Sequence, residues 1–164
     1  MNILNNKEYL RSILFGIEDS LVSTTGLIAG ISIGSDNSKF ILLAGFVAVA
    51  IEAVSMGAGE YLSDDAVREL EKLRRYKGNP LLSGTLMLVS YFFAGMIPLL
   101  PIIFFKFPLS LLLSITFAFL GLFLLGYIKG KILNVSPIKG GIKILLVGGL
   151  ATILGIFVGF LFRS

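Results

Sequence analysis

The sequence predicts an all-α, polytopic integral membrane protein with five transmembrane helices and a short cytoplasmic helix after the second. Three observations carry that prediction. First, 55% of the 164 residues are hydrophobic and only 15% are charged, against roughly 25% charged in a typical soluble domain. A soluble chain of this size cannot bury so much apolar surface in one core and still keep a wetted exterior, whereas in lipid both the inside and the outside of a bundle can be apolar. Second, five apolar runs reach the roughly 20 residues that a helix needs to cross the hydrocarbon core. Third, the positive charges gather in alternate connections.

The spans fall near 12–34, 40–62, 81–105, 108–128 and 141–162 of a single transmembrane domain. The first contains Glu18 and Asp19 and is too long and too acidic for the apolar region of a cleavable signal peptide. Ser35-Asp36-Asn37-Ser38 is a short polar turn into the second span. Residues 63–77 read as a short cytoplasmic helix continuing that span. Asp64 and Asp65 open it and Arg74, Arg75 and Lys77 close it, which complements the helix dipole. Asp64–Arg68 and Glu71–Arg75 are favourable i,i+4 pairs, so this reads first as a solvated, self-neutralising helix. Asn79-Pro80 and Ser136-Pro137 set a capping side chain before a proline at the starts of the third and fifth spans. The fourth span follows Phe107-Pro108. Pro98 and Pro101 free carbonyls inside the third span, either to line an ion path or simply to bend the axis. Gly155-x-x-x-Gly159 is a close-packing motif that serves either the bundle itself or a dimer.

Eleven of the 14 Lys and Arg residues lie in the N-terminal tail, the second connection and the fourth connection. This places the N-terminus in the cytoplasm and the C-terminus outside. It also explains the net charge of +4 without any nucleic-acid partner. There is no Cys, His or Trp. Disulfides, thiolate or imidazole metal centres and haem sites of those ligands are therefore excluded. No His- or Cys-based nucleophile–base pair exists, so the chain does not read as an enzyme.

Chemistry concentrates on the first two helices. Gly16, Asp19, Ser23, Gly26 and Gly30 share a small, polar face of the first helix, the kind that packs against another helix. Asp19 therefore points into the bundle. A mid-span carboxylate costs about 2.5–3.5 kcal/mol on insertion scales and is a functional site by default. Glu18 lies off that face, toward the interface. On the second helix, Glu52, Met56 and Glu60 recur at i, i+4 and i+8 and form one stripe. Carboxylates suit hard cations and a thioether adds a softer ligand, a mixture that favours Fe²⁺ or Mn²⁺ over Mg²⁺ or Ca²⁺. At 1.5 Å per residue Asp19 lies roughly 10 Å deep, between Glu52 at about 15 Å and Met56 at about 9 Å, with Glu60 near the cytoplasmic mouth. The two helices are thus expected to converge on one ion. Asp19 and Glu52 would hold it when ionised and release it on protonation.

At these residues the chain resembles the vacuolar iron transporter family. The segment Gly16-Ile-Glu-Asp-Ser-Leu-Val-Ser-Thr-Thr-Gly26 with Leu-Ile-Ala-Gly30 is similar to the family's first-helix signature. Glu52-Ala-Val-Ser-Met-Gly-Ala-Gly-Glu-Tyr-Leu-Ser63 is similar to its second. The resemblance implies five spans, a cytoplasmic N-terminus, a homodimer, and export of Fe²⁺ or Mn²⁺ from the cytosol in exchange for protons. Asp19 matches the family's transport aspartate and Met56 its metal-contacting methionine. Glu60 matches the glutamate that follows in many prokaryotic members, and Glu52 the acidic position that some members share. Glu18 and Ser20 stand where much of the family has Asn and Gly. The long acidic insertion of eukaryotic members, between helices two and three, is reduced to the short stretch after Ser63. The expected protein is thus a metal-ion transporter that uses Asp19, Glu52, Met56 and Glu60. It needs no cofactor, and its partners are the ion, the bilayer and a second copy. The alternative is a non-transporting membrane scaffold of the same fold.

Overall fold

A computed structural model describes residues 7–35, 37–70 and 78–163. It contains α1 (Lys7–Gly34), α2 (Ser38–Leu70), α3 (Pro80–Phe104), α4 (Leu109–Ile132) and α5 (Pro137–Leu161). All five are long and apolar enough to cross a membrane, and each matches one expected span. The local signals behave as their chemistry requires. The Asn79 side chain accepts from Leu81 N and caps α3, with Pro80 in its first turn. The Asn37 side chain accepts from Lys39 N and Phe40 N at the start of α2. Ser136 occupies the cap position of α5, but its side chain makes no cap bond.

Residues 63–70, expected as the start of a cytoplasmic helix continuing the second span, are part of α2 itself. Helix α2 runs unbroken through Leu70, and residues 71–77, with the expected Glu71–Arg75 pair, lie outside the described residues. Helix α3 likewise continues past both prolines. The Pro98 carbonyl accepts from Ser114 Oγ of α4 at 2.6 Å, so it ties two helices together.

Helix α1 is the hub. It packs most extensively on α5 and α3, more lightly on α4, and least on α2, while α2 leans on α3. The apolar interior forms two clusters. Ile28, Ile41, Val49, Leu99 and Ile102 fill one, and Leu21, Ala94, Leu122 and Ile144 the other. Phe93, Leu112, Leu146 and Leu150 face outward, as a lipid-exposed surface requires. The α1–α5 seam is backbone against backbone. A Cβ on Gly155 would stand 2.0 Å from the Gly26 carbonyl oxygen, and one on Gly159 2.2 Å from that of Gly30. The Gly155-x-x-x-Gly159 motif thus packs inside the bundle against its counterpart Gly26-x-x-x-Gly30.

Candidate functional site

The Glu52–Met56–Glu60 stripe of α2 faces α1, because both of its ends reach that helix. At one end, the Tyr91 hydroxyl of α3 donates to Glu52 Oε2. Ser23 Oγ of α1 lies 3.3 Å from the same carboxylate oxygen and 2.7 Å from the Tyr91 hydroxyl. At the other end, Glu60 Oε1 accepts from Ser12 Oγ at 2.6 Å and from Arg11 Nη2 at 2.9 Å.

These contacts fix the register. Ser23 pairs with Glu52 and Ser12 with Glu60, so Asp19 sits at a level between the two glutamates, nearer Glu52. Met56 is midway along the stripe and only partly covered. Asp19 is close enough to Glu52 and Glu18 to feel both charges. It makes no hydrogen bond or ion pair with any described residue. No three acidic side chains among the described residues converge tightly enough to form a ready-made metal cage. What α1 and α2 supply at mid-depth is a pair of carboxylates, one restrained and one free, with a thioether a turn away.

A third helix holds the first two in this register. Helices α1 and α2 touch little, and α3 packs against both. Its Tyr91 bridges them. Tyr91 is 1% exposed, and its backbone carbonyl also accepts from Ser20 Oγ at 2.6 Å. A tyrosine deep in an apolar span needs a partner for its hydroxyl. That signal is present in the sequence, but it does not say which partner. Glu18 pairs with Lys129 Nζ of α4 at 3.3 Å. Asp64 turns to Arg11 of α1 at 3.5 Å and not to Arg68 one turn on.

Removing the Tyr91 hydroxyl tests this bridge. Tyr91→Phe is expected to lower stability by about 1.5–3 kcal/mol, the range for a hydrogen bond to a charged group. The thermal midpoint in detergent reads it. A midpoint equal to that of the parent protein would mean that Ser23 alone restrains Glu52.

Comparison with known proteins places the chain in a family. The VIT family model matches residues 10–78 and 69–160, which together cover nearly the whole chain. The chain belongs to the VIT family. It is 25% identical to VIT-like transporter 1b of Glycine max, over 92% of this chain and 75% of that protein. It is 24% identical to vacuolar iron transporter 1 of Eucalyptus grandis, over 88% and 83%, and 27% identical to vacuolar iron transporter homolog 3 of Arabidopsis thaliana, over 88% and 78%. The Eucalyptus alignment spans 206 positions, to which this VIT-family chain contributes 88% of its 164 residues. About 60 positions therefore have no counterpart here. The Arabidopsis alignment spans only 157. The family match itself divides at residues 69–78, the connection between α2 and α3. That is where the sequence reading locates the missing insertion. With five spanning helices and this family membership, the chain is a multi-pass integral membrane protein.

Proposed function

We propose that this VIT-family chain exports Fe²⁺ or Mn²⁺ from the cytosol in exchange for protons, with its N-terminus in the cytoplasm. One observation carries the reading. The Asp19 carboxylate lies inside a spanning helix, within charge range of Glu52, and makes no hydrogen bond or ion pair with a described residue. A lone acidic group at that depth is costly unless it serves an ion or a proton. Glu52 would complete the pair, Met56 would favour a transition metal over Ca²⁺ or Mg²⁺, and Glu60 would receive the ion at the cytoplasmic mouth. A cation and protons compete for the same carboxylates, so loading one side with protons drives the metal out. Among the described residues, one chain brings two carboxylates and a thioether, Asp19, Glu52 and Met56, to this level of the bundle. A homodimer that brings a second set alongside is therefore part of the proposal, and the family resemblance implies the same.

The test is metal flux in proteoliposomes under an imposed pH gradient, comparing Fe²⁺, Mn²⁺ and Zn²⁺. Flux is expected to rise several-fold when protons run opposite to the metal, and to favour Fe²⁺ and Mn²⁺. Flux indifferent to the gradient would leave a passive cation path.

A further inference from the structure

Around Glu60, which the exchange reading assigns to the cytoplasmic mouth, the ends of α1 and α2 hold further charged groups that it leaves unused. Arg11 Nη2 lies 2.9 Å from Glu60 Oε1 and 3.5 Å from Asp64 Oδ1. These two acids are one turn apart on α2. Glu8 adds a third negative charge around the same guanidinium. Two carboxylates thus pair with one guanidinium, and a third lies within its charge range. Among the described residues that line the same open groove of about 800 Å³, the basic ones besides Arg11 are Lys129, which is matched to Glu18, and Lys7.

Asp64 is the telling member. It is 3% exposed, and its second oxygen, Oδ2, is inaccessible and unpartnered. Burying a carboxylate with one oxygen unsatisfied is unfavourable. A divalent ion between Asp64 and Glu60 would satisfy it, and Ser12 Oγ, already 2.6 Å from Glu60, offers a neutral oxygen. Arg11 meanwhile keeps 60% of its side chain in solvent, so it can swing into the groove without unpacking anything.

We propose that Arg11 is a tethered cation seated in a cytoplasmic metal-entry site formed by Glu60 and Asp64, and that an incoming divalent metal ion displaces it. The inference deepens the transport reading and rests on it for the direction of entry. When no metal is present the guanidinium offsets part of the negative charge at the mouth, and it returns after the ion has moved inward. Two carboxylates and a hydroxyl make a transient site, as a first step requires.

The experiment is Mn²⁺ binding to the full-length protein in detergent, with MnCl₂ as the probe and the free-ion electron paramagnetic resonance signal as the readout. Transport is measured separately. An exposed ion pair is a weak competitor, so Arg11→Gln is expected to tighten Mn²⁺ binding by about two- to fivefold. Arg11→Lys, which keeps a competing charge, should stay nearer the parent value. Asp64→Asn should weaken binding about tenfold or more, in line with losses on disturbing a metal site. Arg11→Gln binding equal to or weaker than the parent protein, or Arg11→Lys as tight as Arg11→Gln, would overturn the proposal. If Arg11→Gln is not recovered folded, Asp64→Asn decides alone, and unchanged affinity there refutes the site. Binding that follows this pattern without any flux would sink the transport reading and leave the entry site standing.

Discussion

Asp19→Asn is expected to reduce metal flux in proteoliposomes by about a hundredfold or more, while the protein folds as before. Asparagine has nearly the same shape but carries no charge and takes up no proton in the working range, so both the ion ligand and the proton carrier are lost together. Disturbing only the supporting shell of a metal site typically costs 10- to 100-fold, and loss of a direct ligand should cost no less. Stability should hold because Asp19 makes no hydrogen bond or ion pair with a described residue, and its loss relieves repulsion from Glu52 and Glu18. The thermal midpoint in detergent, measured on the same preparation, separates the two effects. Undiminished flux would move the ion path away from Asp19. A parent protein that carries no metal at all would make the chain a membrane scaffold.

Gly155→Leu is expected to fail to fold, or to lose about 3 kcal/mol or more of stability. Overpacking a tight contact costs about 1–3 kcal/mol and sometimes more, and here the obstacle is backbone, which cannot turn aside as a side chain can. The first atom added to Gly155 would stand 2.0 Å from the Gly26 carbonyl oxygen, 2.7 Å from its carbon and 3.1 Å from its Cα. Helices α1 and α5 would have to part, and α1 carries Asp19 and Ser23. Gly149→Ala is the matching control, since a Cβ there meets nothing within 4 Å. It should leave the midpoint and the elution profile unchanged. A Gly155→Leu protein as stable as the control would mean that the two helices do not meet along this seam.

Much of the candidate site can be read along one helix at a time. The stripe of Glu52, Met56 and Glu60 follows from the helical repeat alone, and both of its ends indeed reach α1. The expected depth of Asp19 follows from the rise per residue, and the contacts set Asp19 between the levels of Glu52 and Glu60. Tyr91 and Asp64 are different. Tyr91 stands 39 residues from Glu52 and Asp64 stands 53 from Arg11. Nothing local chooses Arg11 over Arg68 as the partner of Asp64. That choice depends on how the ends of α1 and α2 meet.

The sequence by itself determines that there are five spans, about where each lies and which side chains share a helix face. Those properties come from apolar run length, proline and cap chemistry, and the helical repeat, all of which act within a few turns of chain. Only the tertiary structure decides that α1 rests on α5 through paired glycines, that α3 stands against both α1 and α2, and that Arg11 closes over Glu60 and Asp64. The reason lies in the solvent. Lipid is as apolar as the helices, so no hydrophobic drive selects neighbours. Close backbone fit and a few buried polar contacts make that selection, and these exist only once the helices have assembled.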